Sequence, residues 1–191
     1  MAVVAGRSTR SLGDQVTIRE MANIRQAEDR DAAALAGLAE RTFRDTFVQV
    51  NRAEDIDLHC RNSYRESIQA AEIRDPNRTT LVCHVADTLI AYAQLRRGSL
   101  PPCVIATSPA EIQRLYVDAP WHGKGIARTL MDSLLDTAVA GGADVAWLGV
   151  WEQNPRAIAF YSKSGFAVVG DHVFVVGADP QRDLVMAKRL S

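Results

Sequence analysis

The chain is poor in cysteine. Cys60, Cys83 and Cys103 are its only three, an odd and scattered set without a C-x-x-C pair. That excludes a disulfide framework and fits reduced thiols of a cytoplasmic protein. There is no long apolar run, which excludes a membrane-spanning helix. Neither sign of charge dominates: 22 Lys and Arg stand against 23 Asp and Glu, a net charge of -1. No broad attraction to nucleic acid follows. His, Cys and carboxylates do not fall at metal-ligand spacing, so no metal is expected, and repeats and low-complexity tracts are missing. Two nucleotide signatures are missing as well. A dinucleotide fingerprint needs Gly or Ala three residues after Gly125, where Arg128 stands, and a P-loop needs Lys after its last glycine, where Ile126 follows Gly125.

What is present suffices for one domain. The chain has 191 residues, 47% hydrophobic and 24% charged, enough for a real core. Residues 1–20 are polar, and their apolar run Ala2–Ala5 is too short for a signal-peptide core. They are expected to be a flexible extension or an upstream start, with one domain over 21–191. A short strand at Asn23–Gln26 leads to a helix carrying Ala34, Leu35, Leu38 and Phe43, which Asp29 or Asp31 can cap. A second helical region spans about Ala53 to Ile73. Glu54, Asp55 and Asp57 near its start either compensate the helix dipole or form an acidic lip for a cationic amine. Two strands around Asp87-Thr88 read as a hairpin, with Cys83 on the core side. Gly98–Pro109 reads as a loop.

The informative stretch is Ala110–Phe166. Ile112, Leu115, Tyr116 and Val117 make a strand. Ile112 and Leu115 are three apart, so a β-bulge is needed to give them one face, and bulges often lie beside active sites. Gly123 and Gly125 precede Ile126, Leu130, Leu134 and Ala138, one helical face. Glycines ahead of a helix N-terminus make an anion site suited to phosphate. Val145–Trp151 is a buried strand. Asn154 suits an N-cap, Pro155 a first helical turn and Gly165 a stop. Asn154 and Tyr161 are two turns apart and can face one cleft. Two further strands, about Ala167–Val176 and Asp183–Lys188, close the chain around a turn at Gly177–Pro180.

These residues resemble the GCN5-related N-acetyltransferase (GNAT) superfamily. Its pyrophosphate motif matches His122-Gly123-Lys124-Gly125-Ile126-Ala127, and its later motif matches Asn154, Ala157, Tyr161, Gly165 and Phe166. Thr42–Phe47 and the closing Q-R-D-L-V-M-A-K look like the PaiA-type polyamine branch. The resemblance covers about Asn23 to Leu190. His122 departs from the usual Gln or Arg, which implies weaker coenzyme contact and not loss of function.

The resemblance implies an α/β three-layer sandwich with helices on both faces. Its central sheet would be mixed, mostly antiparallel and split between the fourth and fifth strands. Acetyl-CoA would be the co-substrate. Its pantetheine arm would lie along Leu115, Tyr116 and Val117, its pyrophosphate on Gly123 to Ala127, and Asn154 would hold the arm. Tyr161 would donate to the departing thiolate. A protonated amine, with pKa about 10.4, cannot attack until a base takes its proton. Glu111 is the first candidate for that base and Glu152 the reserve. The expected acceptor is a primary amine of a small molecule such as spermidine or spermine, with Glu54, Asp55 and Glu152 near it. A protein or peptide amine, and a non-catalytic CoA-binding regulatory module, stay open as alternatives, as does a homodimer.

Overall fold

A computed structural model describes residues 22–190. The expected extension over 1–20 lies outside them. Among the described residues, seven strands form one sheet: β1 (Ala22–Gln26), β2 (Arg78–Val85), β3 (Thr88–Arg97), β4 (Pro109–Val117), β5 (Val145–Trp151), β6 (Ala167–Val176) and β7 (Asp179–Arg189). Their spatial order is β1-β2-β3-β4-β5-β7-β6. Neighbours are antiparallel except β4 and β5, which run parallel. Five helices connect them: α1 (Ala32–Phe47), α2 (Ala53–Ser63), α3 (Glu66–Arg74), α4 (Ile126–Ala140) and α5 (Pro155–Lys163). None of the described helices is long and apolar enough to cross a membrane.

Two main cores sit on opposite faces of the sheet. Ile126, Leu130, Leu134 and Ala138 of α4, with Ala157 and Tyr161 of α5, pack against Ile112, Leu115, Val117 and Leu148. Leu35, Phe43 and Phe47 of α1, with Ile56 and Cys60 of α2, pack against Val82, Tyr92 and Tyr116. A smaller cluster, Val104, Val145, Trp147 and Val185, lies under the loop between β3 and β4. The result is the three-layer α/β sandwich the sequence implies.

The bulge is where the sequence needs it. Gln94 pairs with Arg114 but the next residue, Leu95, pairs with Ile112, so Gln113 is the extra residue. Ile112 and Leu115 thereby enter the same core, at 1% and 0% exposure. The same insertion keeps Glu111, Arg114 and Tyr116 on the other side.

Several local expectations need correction. The helical region after Ala53 is two helices, broken at Tyr64 and Arg65. The break drives the Tyr64 ring into the cluster around Phe43 and His59, and Gln69 Nε2 closes it by donating to the Ser63 carbonyl at 2.8 Å. Ala34 faces solvent while Leu35 and Leu38 are buried. Neither Asp29 nor Asp31 caps α1 with its side chain. Asp31 turns back to Arg25 at 2.7 Å and to the Glu28 amide at 2.7 Å. The β2–β3 turn is Ala86-Asp87, with Thr88 already paired to Val85. β7 begins at Asp179, four residues earlier than expected, because Pro180 sits opposite Val175 and extends the ladder.

Candidate active site

β4 and β5 pair only over Pro109–Glu111 against Val145–Trp147. β4 continues to Val117 and β5 to Trp151 without further pairing to each other. The sheet therefore opens between them, and the loop from β4 to α4 lies at the opening. A short 3-10 turn at Ala119–Trp121 follows Asp118, whose carboxylate accepts from the Ala119 amide at 3.1 Å. His122 Nε2 lies 2.6 Å from the Val117 carbonyl oxygen. A carbonyl only accepts, so this nitrogen carries the proton. Burial pushes the His122 imidazole below its ordinary value, against that bond, and keeps the ring neutral. Gly123 has φ 74° and Gly125 φ 83°. Residues with a Cβ adopt these angles at a cost, and Gly125 uses one as the N-cap of α4.

The loop and α5 enclose a cavity of about 280 Å³ lined by Val117, Trp121, His122, Gly123, Gly125 and Ile126, with Arg156 and Phe160 across from them. Lys124 lies 4.4 Å from the Trp121 ring centroid, and Ala127, half-buried, lines the cavity. The α4 N-terminus, with Arg128 and Arg156 in the lining, gives this cavity an anion-binding character. Of the β4 residues expected along the coenzyme arm, Val117 lines this cavity; Leu115 is buried with it toward α4, and Tyr116 turns toward α1 on the other face of the sheet.

Asn154 is the N-cap of α5: the Ala157 amide donates to its Oδ1 at 3.0 Å, and Pro155 takes the first turn. Gly165 follows the helix at φ 90°, and the Phe166 amide closes onto the Tyr161 carbonyl at 3.1 Å. Tyr161, on this helix, is 0% exposed. Its hydroxyl is enclosed and has no hydrogen-bond partner among the described residues. Burial pushes this phenol far up, so it keeps its proton at neutral pH. Its neighbour Phe160 lines the cavity directly, and the two rings meet edge-on at 5.3 Å.

The expected carboxylates do not gather at one place. Glu111 is 8% exposed and binds Arg96 at 2.6 Å. Arg96 also donates to Ser99 Oγ at 2.8 Å. Glu152 is exposed and bound to Arg182 at 2.8 Å. Glu54 is exposed beside Arg52 at 3.5 Å. Asp55 is buried and accepts from the Ala178 amide at 2.8 Å, so it anchors the β6–β7 turn. An acidic lip at the start of α2 does not form, because Asp55 faces that turn and Asp57 pairs with Arg44 at 2.7 Å.

Sequence reasoning missed two features on this face of the sheet. One is a pocket of about 130 Å³ lined by Phe43, His59, Tyr64, Tyr116 and Phe174, with Arg114. Arg114 is held by Glu72 at 2.5 Å and lies 5.3 Å from the Tyr64 ring centroid. Burial, aided by Arg114, pushes His59 down to about 4. The other is Asp183, 0% exposed, with both carboxylate oxygens unbonded among the described residues. Burial pushes it up to about 6. Its alternation with Val185 and Ala187 was the available signal, since period two puts all three on one face. Arg114 alternates with Tyr116 in the same way.

Comparisons with known proteins agree with this geometry. The acetyltransferase (GNAT) family model matches residues 37–166. An uncharacterized N-acetyltransferase of Mycobacterium tuberculosis is 34% identical over 160 residues, which is 84% of this chain and 98% of that protein. The N-alpha-acetyltransferase RimI of the same organism is 34% identical over 100 residues, 52% of this chain and 58% of that one. Among solved structures, the PaiA N-acetyltransferase of Thermoplasma acidophilum, crystallised with coenzyme A, superposes with a TM-score of 0.71 at 24% identity, covering 88% of this chain and 98% of that one.

Proposed function

The chain belongs to the acetyltransferase (GNAT) family, and from that membership we propose that it moves an acetyl group from acetyl-CoA to a primary amine of a small molecule. The observation that carries this reading is the opening between β4 and β5, with Gly123 and Gly125 at its mouth. Residues 21–191 act as one catalytic domain, and the free thiols of Cys60, Cys83 and Cys103 suit a reducing cytoplasm.

The coenzyme's pyrophosphate rests on the amides from Gly123 to Ala127, with His122 bracing the loop and Lys124 adding charge. Its pantetheine amides pair with backbone along Leu115 to Val117. Asn154 acts by fixing the start of α5, which sets Tyr161. Backbone N–H groups of β4 polarise the acetyl carbonyl as it gains negative charge. A base takes the amine proton before attack, and Glu111 serves in that role only by exchanging its bond to Arg96 for one to the acceptor. The neutral amine attacks, the C–S bond breaks, and Tyr161 protonates the thiolate. The unbonded Tyr161 hydroxyl supports an active enzyme over a CoA-binding module. A buried hydroxyl without a partner is costly, and a thiolate is a partner it lacks.

A polyamine acceptor is supported by the Thr42–Phe47 segment, the closing Q-R-D-L-V-M-A-K run and the fold likeness to PaiA. A peptide amine is the second reading. The aromatic pocket around Phe43, Tyr64 and Phe174 offers a seat for a side chain, with Arg114 as a cation a polyamine does not need. An amine panel with acetyl-CoA separates the two: spermidine turned over alone supports the first, and peptide N-termini turned over alone support the second. Tyr161→Phe is expected to lower kcat about 10²-fold while acetyl-CoA binding by calorimetry holds. Turnover of no amine, or an unaffected variant, would sink the reading.

A further inference from the structure

Asp183 and His172 face each other across β6 and β7. The two are register partners. His172 Nε2 lies 4.0 Å from Asp183 Oδ2. Neither Nε2 nor either Asp183 oxygen has a hydrogen-bond partner among the described residues. The His172 side chain is 34% exposed and covers Asp183, which has no exposure. One ring nitrogen therefore points inward at a buried carboxylate, and Nδ1 is left on the open side. The ring also reaches β5. A Cβ added at Gly149 would sit 2.7 Å from His172 Nε2 and 3.2 Å from Asp183 Oδ2. Gly149 is two residues past Trp147, the last β5 residue paired to β4. The imidazole thus reaches over β7 to β5, the strand that borders the sheet opening, and meets Trp147 edge-on at 6.3 Å.

We propose that His172 is a catalytic base for the acceptor amine, with Asp183 behind it as the positioning residue. This rests on the acetyl-transfer reading above and replaces Glu111 as the first proton acceptor. Glu111 is occupied by Arg96, whereas His172 has no such partner. A contraction of about 1 Å turns the inner contact into a hydrogen bond from Nε2–H to the carboxylate. That fixes the tautomer with the Nδ1 lone pair facing out. One ammonium proton passes to Nδ1 and on to solvent. The amine lone pair then forms the C–N bond, and the C–S bond breaks. The thiolate takes the Tyr161 proton, and the second amine proton restores the phenol. Asp183 stabilises the imidazolium that forms. The charged and titratable groups facing this imidazole are Asp183 from β7, Glu111 from β4 with its Arg96, Asp171 on its own strand with its Arg182, and Cys103 from the loop over Gly170. Burial lowers the imidazole's pKa, while Glu111 and Asp171 raise it.

The test has two arms. In the first, the His172 imidazole is titrated by NMR in the full chain and in Asp183→Asn. The variant is expected to titrate about 1 unit lower, having lost its counter-charge; an unmoved titration overturns the pairing. In the second, kcat/KM is followed against pH with the amine the panel selects. His172→Gln is expected to lose about 10²-fold in kcat and the acid limb of the profile, with acetyl-CoA binding unchanged. Imidazole in the buffer should restore part of the rate to His172→Ala. A wild-type rate and profile in His172→Gln overturns this inference and leaves acetyl transfer standing. A wild-type chain that turns over no amine overturns both.

Discussion

At the scale of single residues, the position with most to reveal is Asp183. Its folded pKa is raised to about 6 from 3.8 by burial, so the native state holds a proton more tightly than the unfolded chain. Its contribution is full below about pH 4 and is lost as pH rises through about 6. Replacing it with Asn removes that slope. Thermal melts from pH 4 to 8 are expected to show Asp183→Asn gaining on the wild type by on the order of 2 kcal/mol by pH 8. Gly149 is the second informative position. Gly149→Ala places a methyl 2.7 Å from the His172 ring, which must turn away. A fall in turnover with intact coenzyme binding is the expected reading from kinetics and calorimetry. At this scale the sequence was legible where chemistry is local. Gly125 and Asn154 announce helix starts through their immediate neighbours. Asp183 and His172 did not announce each other, because their contact depends on the β6–β7 register, including the shift between Val168 and Gly170.

At the scale of elements, α5 links a cap to the proposed proton donor. The Ala157 amide bonds Asn154 Oδ1 at one end, and the Tyr161 ring is packed between Phe160 and Phe166 toward the other. Asn154→Ala is expected to cost about 1 kcal/mol of stability, read as a lower denaturant midpoint. Turnover should fall with it, because fraying of α5 loosens the phenol. The bulge in β4 was legible because Ile112 and Leu115 are both apolar and three apart, a spacing that no regular strand reconciles. The break between α2 and α3 was not. It carries neither Gly nor Pro, and Tyr64 is drawn out of helical geometry by rings of α1 and by the Arg114 guanidinium, which only the assembled fold brings near.

At the scale of the whole molecule, one contact joins distant parts of the chain. The Ala178 amide donates to Asp55 Oδ1 at 2.8 Å across 123 residues of sequence, and Gly177 packs so closely that an added Cβ would meet the Asp55 backbone at 2.4 Å. Asp55→Ala leaves that amide without its acceptor. It is expected to lose about 1–3 kcal/mol and to speed proteolysis in the β6–β7 hairpin before the rest of the chain opens. The layer order was legible through the family resemblance that the two motifs carry. The use of Asp55 as a strut was not, since a carboxylate in the first turn of a helix reads equally well as dipole compensation.

The short parallel seam makes the middle of the sheet its weakest place. Two antiparallel blocks share three residue pairs, so an interior strand behaves as a free edge for more than half its length. Such an edge invites any extended backbone to add itself as a missing rung. A bound pantetheine arm would fill that vacancy with its own amides, guarding the chain against strand exchange with its neighbours. Saturating coenzyme should then suppress aggregation of the concentrated protein by more than its effect on the melting temperature accounts for.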